Sequence, residues 1–241
     1  MVQRINVAVI GATGMVGQNY IRLLANHPWF EVAYVAASPQ SAGKPYAEAV
    51  AGRWHMPSDL PEPVRKLVVG DANDVEAARG KCALVFSAVS LEKQATAALE
   101  CAYAAAGLPV VSNNSAHRFT PDVPMIIPEI NPGHLDVIAA QRKARGWTTG
   151  CIVVKSNCSI QSYMTPVWAL WQAGYKPRTL VVATLQALLT ECGAAQRTRV
   201  APGEAYLFIG VRGATPASAR YSVWRLGFQK SSITTTKPAW R

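Results

Sequence analysis

The sequence predicts an α/β fold, a doubly wound parallel sheet followed by the start of a second, smaller α+β part. Three observations point there. Short apolar runs alternate with helical periods through the first 150 residues. A glycine-rich turn joins the first strand to the first helix, and the pattern changes after the proline-rich stretch Pro121–Pro132. Strands alternating with helices are the signature of a parallel sheet covered on both faces.

In chain order, Ile5–Ile10 reads as a buried strand, and Met15–Asn26 places Val16, Tyr20, Leu23 and Leu24 on one helical face. Glu31–Ala37, Leu67–Val69 and Leu84–Val89 are further strands. Leu91–Ala106 is Ala-rich and helical, and Gly107-Leu108-Pro109 stops it. Val110–Ser112 is a strand. Cys151–Lys155 (strand), Ser159–Ala173 (helix) and Thr179–Gln186 (strand) read as the opening of the second part, so the expected division is 1–150, then 151–187. From Leu188 onward no sustained period of either kind is found, with Ala205–Val211 a single candidate strand.

Composition narrows the class. The chain has 241 residues, 50% hydrophobic and 16% charged, which excludes disorder, collagen and coiled coil as global classes. No apolar run reaches the roughly 18 residues a membrane span needs, and the start is too short for a secretion signal. Five cysteines give no disulfide framework. A soluble, cytoplasmic protein with no metal site is the expectation. The net charge of +10 is uneven: residues 1–187 hold 16 Lys/Arg against 12 Asp/Glu, and residues 188–241 hold 8 against 2. Dispersed charges of this kind argue against nucleic-acid binding, which prefers clustered ones.

Gly11, Gly14 and Gly17 fall between the first strand and the first helix. Glycine there lets a pyrophosphate approach the helix N-terminus, where unpaired N–H groups and the helix dipole favour an anion. A strand–helix turn that binds nothing is the plain alternative. The second strand ends Ala36-Ala37-Ser38, followed by Ser41 and Lys44, where NAD-binding chains usually place an acid. Hydroxyls and a lysine suit a 2′-phosphate, so NADP is the expected cofactor; an ordinary polar loop is the alternative.

Lys155-Ser156-Asn157-Cys158-Ser159 lies between a strand and a helix, which places Cys158 at a helix N-terminus that favours thiolate. Cys82, Cys101 and Cys151 sit in strand or Ala-rich helix positions that packing explains.

Taken together, GATGMVGQ (Gly11–Gln18), SPQSAGK (Ser38–Lys44), SAV (Ser87–Val89), SNNSAHR (Ser112–Arg118), PEINPGHL (Pro128–Leu135), KSNCS (Lys155–Ser159) and TLQA (Thr184–Ala187) resemble aspartate-semialdehyde dehydrogenase of the archaeal and fungal branch. The resemblance implies a Rossmann domain followed by a catalytic and dimerisation domain, in a homo-oligomer. It implies NADPH-dependent reductive dephosphorylation of aspartyl-4-phosphate to aspartate-4-semialdehyde, with release of phosphate, on the way to threonine, methionine and lysine. By the same resemblance Cys158 is the nucleophile, and Arg118, Asn157 and Gln186 bind substrate. Gly11, Thr13, Gly14, Met15, Val16, Gly17, Ser38, Ser41, Lys44, Ser87 and Ala88 bind NADP. His117 and His134 are read as structural or surface residues.

The resemblance ends at Ala187. The family's general-base histidine lies beyond it, whereas the four histidines here are His27, His55, His117 and His134. The expectation is an enzyme impaired by the missing base. Residues 188–241 then read as an aberrant basic tail, the product of a shifted frame or an unspliced intron. Two alternatives stand beside this reading: a non-catalytic NADP-binding module, and an N-acetyl-gamma-glutamyl-phosphate reductase-like enzyme.

Overall fold

The structure, a computed structural model, describes residues 3–175, 179–185, 204–212 and 220–227. The chain divides into two compact units, Met1–Ser156 and Asn157–Arg241.

The first unit opens with β1 (Ile5–Ile10), α1 (Met15–Leu24) and β2 (Phe30–Ala37). Next come the short helices α2 (Tyr46–Ala49) and α3 (Glu62–Arg65), β3 (Gly70–Asp71) and α4 (Val75–Arg79). β4 (Leu84–Ser87), α5 (Lys93–Ala105), β5 (Pro109–Ser112), β6 (Met125–Ile126), α6 (Val137–Arg145) and β7 (Cys151–Lys155) complete it. Seven strands form one parallel sheet in the order β3-β2-β1-β4-β5-β7-β6. The doubly wound expectation is met.

Both faces of this sheet are covered, which is why Val7–Ile10 of β1 is an unbroken, buried apolar run. Val7 and Val9 pack on one side with Ile21 and Leu24 of α1, and Ala8 and Ile10 on the other with Leu99 and Tyr103 of α5. Ile21 is fully buried, a contribution of roughly 1.5–3 kcal/mol. The order in which successive strands are added reverses between β1 and β4: β2 and β3 extend to one side, β4 and β5 to the other. That point, at the carboxyl ends of β1 and β4, is where open α/β sheets form a binding crevice.

The structure departs from the sequence expectations at two places and adds elements to them. Cys151–Lys155 does not open the second part. It pairs in parallel with Pro109–Ser112, joining the first sheet, so the division falls after Ser156 rather than at 150. The strand expected at Leu67–Val69 is displaced to Gly70–Asp71, because Tyr46 and Gly43 take the carbonyls of Leu67 and Val69 in loop contacts. Helices α2, α3, α4 and α6 and strand β6 add to the expected elements; Asp74 caps α4 by accepting from the Ala77 N–H at 3.1 Å.

The second unit contains α7 (Cys158–Gln172) and a three-stranded antiparallel sheet. Its strands are β8 (Thr179–Leu185), β9 (Glu204–Arg212) and β10 (Arg220–Gly227), in the order β10-β9-β8. Ala205–Val211 is thus part of a strand, and Arg220–Gly227 supplies a second that the sequence did not reveal. Gln186, Cys192 and most of the stretch from 188 onward lie outside the described residues. Among the described residues no helix is long and apolar enough to cross a membrane.

Candidate active site

The glycine turn occupies the switch point. Gly11 has φ +75°, and a Cβ there would run into the carbonyl of Ala88, just past the end of β4. A Cβ on Gly17 would strike the Gly11 carbonyl and the Ala12 backbone. Two of the three glycines are therefore required by the fold itself. Gly14 differs: its φ is −78°, it is exposed, and a Cβ would meet nothing closer than the Gly11 oxygen at 3.5 Å. Neither backbone conformation nor packing demands glycine at this position.

Gly14 is the N-cap of α1, and it offers no side chain to the first N–H groups. The first turn carries no acidic residue either. A helix end left in this state presents donors and a positive dipole to an anion. Met15 and Val16 stand partly exposed beside it.

Two buried side chains fix the turn, and sequence reasoning gave neither a role. Gln18 is 1% exposed; its Nε2 donates to the carbonyls of Thr13 at 3.0 Å and Arg53 at 2.8 Å. Its Oε1 accepts from the His55 N–H at 2.9 Å. The Tyr46 hydroxyl donates to the Ala12 carbonyl at 2.7 Å, and burial pushes that phenol up from its ordinary value, keeping it a donor. Gln18 ends the glycine motif, so only its position was legible, not its partner 35 residues away.

Ser38, Ser41 and Lys44 form a turned loop after β2, with the Ser41 N–H donating to the Ser38 carbonyl at 2.9 Å. Ser38 and Lys44 are exposed and Ser41 is buried. β2 carries no acid at its end. Asp71 lies beside Ala37 across the β2–β3 pairing, and its Oδ1 is taken by the backbone and side-chain nitrogens of Asn73, each at 2.9 Å.

At the ends of β4 and β5, Ser87 and Ser112 turn their hydroxyls inward to Glu100 of α5. Ala88 presents its backbone to Gly11. The loop after β5 carries Arg118, whose Nε donates to the Lys155 carbonyl and Nη2 to the Asn113 carbonyl, both at 3.2 Å. Nη1 has no hydrogen bond among the described residues, so one edge of this fork is available to an oxyanion. His117 is buried against Glu100, and His134 sits near the Met125 carbonyl at 3.1 Å.

In the second unit, Cys158 is exposed and is the first residue of α7. Asn157 is the N-cap: its Oδ1 accepts from the Ser159 N–H at 2.8 Å and lies 3.9 Å from the Cys158 sulfur. The helix starts at Cys158, one residue earlier than the expected Ser159. The other thiols in the described residues are suppressed. Burial pushes Cys82 up to about 11, with Lys81 pulling weakly the other way. Burial also raises Cys101 and Cys151, against the nearby guanidinium groups of Arg145 and Arg142.

A family model described as "Semialdehyde dehydrogenase, NAD binding domain" matches residues 6–138, more than half the chain. The chain belongs to the semialdehyde dehydrogenases. Aspartate-semialdehyde dehydrogenase of Cryptococcus neoformans is 41% identical over 185 residues, 77% of this chain and 50% of that one. That of Methanothermobacter thermautotrophicus is 41% identical over 184 residues, 76% of this chain and 50% of that one. Among solved structures, aspartate semialdehyde dehydrogenase with NADP from Candida albicans superposes with a TM-score of 0.67 at 35% identity. It covers 79% of this semialdehyde dehydrogenase chain and 53% of its own. The chain spans about half the length of the curated relatives it matches.

Proposed function

We propose that this semialdehyde dehydrogenase chain binds NADP at the glycine turn and carries the nucleophile of an aspartate-semialdehyde dehydrogenase. The observation that carries the reading is Gly14. It leaves open the space a Cβ would fill, at an uncapped helix end, on the switch point of the sheet. Gly11 and Gly17 shape the turn, and Thr13, Met15 and Val16 border the pyrophosphate. Ser87 and Ala88 form the facing wall. Ser38, Ser41 and Lys44 take the 2′-phosphate, since a cation and hydroxyls attract a charge that a carboxylate would repel. Family membership and the NADP named with the Candida albicans relative support the same assignment.

Cys158 is assigned as the nucleophile. In the reductive direction its thiolate attacks the acyl carbon of aspartyl-4-phosphate. The carbon–oxygen bond to phosphate breaks, phosphate leaves, and a thioester remains on Sγ. NADPH, when bound, supplies the hydride for reduction. The semialdehyde forms as the carbon–sulfur bond breaks, returning the thiolate. Splitting one hard displacement into two easier ones is the advantage of a covalent route. Asn157 orders the helix end beneath the sulfur and borders the substrate. Arg118 is assigned to the phosphate through its open guanidinium edge, and Gln186 to substrate positioning.

None of the four histidines follows Cys158, and His117 is buried beside Glu100 and Thr120. A positioned general base contributes about 10²–10⁴-fold, so these 241 residues alone are expected to bind NADPH and turn over slowly. The reading is tested by titrating NADPH into the chain, then following NADPH formation from aspartate semialdehyde, phosphate and NADP⁺. Binding with slow, Cys158-dependent turnover supports it. Absence of NADPH binding sinks it. Binding with no turnover at all selects the non-catalytic NADP-binding module instead.

A further inference from the structure

We propose that Glu100 is a positioning residue that locks the wall of the cofactor turn to the loop bearing Arg118. This rests on the NADP and phosphate roles assigned above. Glu100 is fully buried on α5, where an isolated carboxylate is costly and must be matched by donors. Three donors converge on its Oε1: the Ser87 hydroxyl at 2.7 Å, the Ser112 hydroxyl at 2.7 Å and the Asn114 side-chain nitrogen at 2.8 Å. The match is confined to Oε1: Oε2 has no hydrogen-bond partner among the described residues, and His117 Nε2 stands 3.9 Å from it.

These partners are the hinge points of both loops. Ser87 ends β4 and is followed by Ala88, the residue against which Gly11 turns. Ser112 ends β5 and opens the segment that reaches Arg118. Asn114 spends its second amide hydrogen on the Ser87 hydroxyl at 3.1 Å. Its backbone N–H donates to the Ser112 hydroxyl at 3.0 Å. The Asn113 N–H donates to the Ser87 carbonyl at 2.9 Å, while the Asn113 carbonyl accepts from Arg118. One oxygen atom is thus shared by the strand ends that carry the cofactor wall and the arginine loop. Packing alone would be served equally by an apolar side chain. The convergence of three polar groups on one atom is what fixes direction as well as distance.

Amide hydrogen exchange on the whole chain tests this without needing catalysis, and NADPH titration supplies the functional readout. Removing a shared acceptor opens the groups it held by local unfolding. Glu100→Ala is expected to speed exchange about tenfold or more in residues 87–91 and 112–118 only, and to weaken NADPH binding by about tenfold. Glu100→Gln keeps an oxygen in place for the three donors and is expected to restore both readouts to within about threefold. Should Glu100→Ala fail to fold, Ser112→Ala removes one link and is expected to speed exchange at 113–118 alone. Unchanged local exchange, a uniform rise across the sheet, or failure of Glu100→Gln to restore exchange overturns the proposal. A parent chain that does not bind NADPH sinks the proposed function, while the exchange measurements still decide the role of Glu100.

Discussion

The carbonyl of Ala88 lies where a Cβ on Gly11 would have to go. Gly11 also holds φ +75°, which L side chains rarely adopt. The end of β4 thus presses directly on the turn after β1, and the glycine turn and the segment proposed as its facing wall are one piece of packing.

Gly11→Ala is therefore expected to act on the fold. The left-handed backbone alone costs about 1–2 kcal/mol, and the obstruction is backbone that cannot swing aside. Urea unfolding is expected to show a loss of at least about 2 kcal/mol, against the ±0.5 kcal/mol of an ordinary surface change. A loss inside that ordinary range would contradict the geometry.

Lys44 is exposed and belongs to the loop after β2. Lys44→Ala is expected to weaken NADPH binding about three- to tenfold at low salt and leave NADH binding unchanged, because an exposed pair with phosphate contributes on the order of 1 kcal/mol. The difference shrinks at high salt. Equal weakening of both nucleotides would remove Lys44 from the 2′-phosphate.

Iodoacetamide followed by peptide mapping ranks the thiols. With Cys82 pushed up to about 11 by burial, about one molecule in a thousand is thiolate at pH 8. Exposed Cys158 is expected to label first in native protein, well ahead of Cys82, Cys101 and Cys151. Raising the pH by one unit is expected to speed Cys82 about tenfold. Uniform labelling would mean that the environment described around Cys158 is absent.

Asp122 and Arg145 form a two-pronged pair, Nε to Oδ2 at 2.6 Å and Nη2 to Oδ1 at 2.8 Å. The hydrogen bonds from Arg145 hold the Asp122 carboxyl below its ordinary range. A lowered folded-state value contributes stability above the unfolded carboxylate value near 4, and that stability is lost as pH falls through the folded value. Asp122→Asn is expected to cost roughly 1–3 kcal/mol at pH 7, with parent and variant converging as pH falls through that lowered value. A gap that persists in acid would assign the effect to packing.

Much of this arrangement was legible because its signals are local. β1, the glycine turn and the start of α7 are each written within a dozen residues, as an apolar run, a glycine spacing and an Asn-Cys before a helical period. What escaped was long-range. Cys151–Lys155 carries no mark of which sheet it joins; pairing with Pro109–Ser112 across some 40 residues decides it. Glu100 reads as one acid in an Ala-rich helix, and only the fold brings Ser87, Ser112 and Asn114 to it. Arg220–Gly227 mixes Arg, Ser and Gly with apolar residues, so antiparallel pairing with Glu204–Arg212, not periodicity, reveals it as a strand.

NADPH titration of the parent chain beside Gly14→Ala tests the central claim most directly, with thermal unfolding of both as the control. A Cβ at this position meets the protein at no less than 3.5 Å, so the variant is expected to unfold within a few degrees of the parent. Its NADPH affinity is expected to fall at least about tenfold, because the methyl occupies the approach to the helix end. A parent that does not bind NADPH, or a variant that binds it as the parent does, would contradict the account.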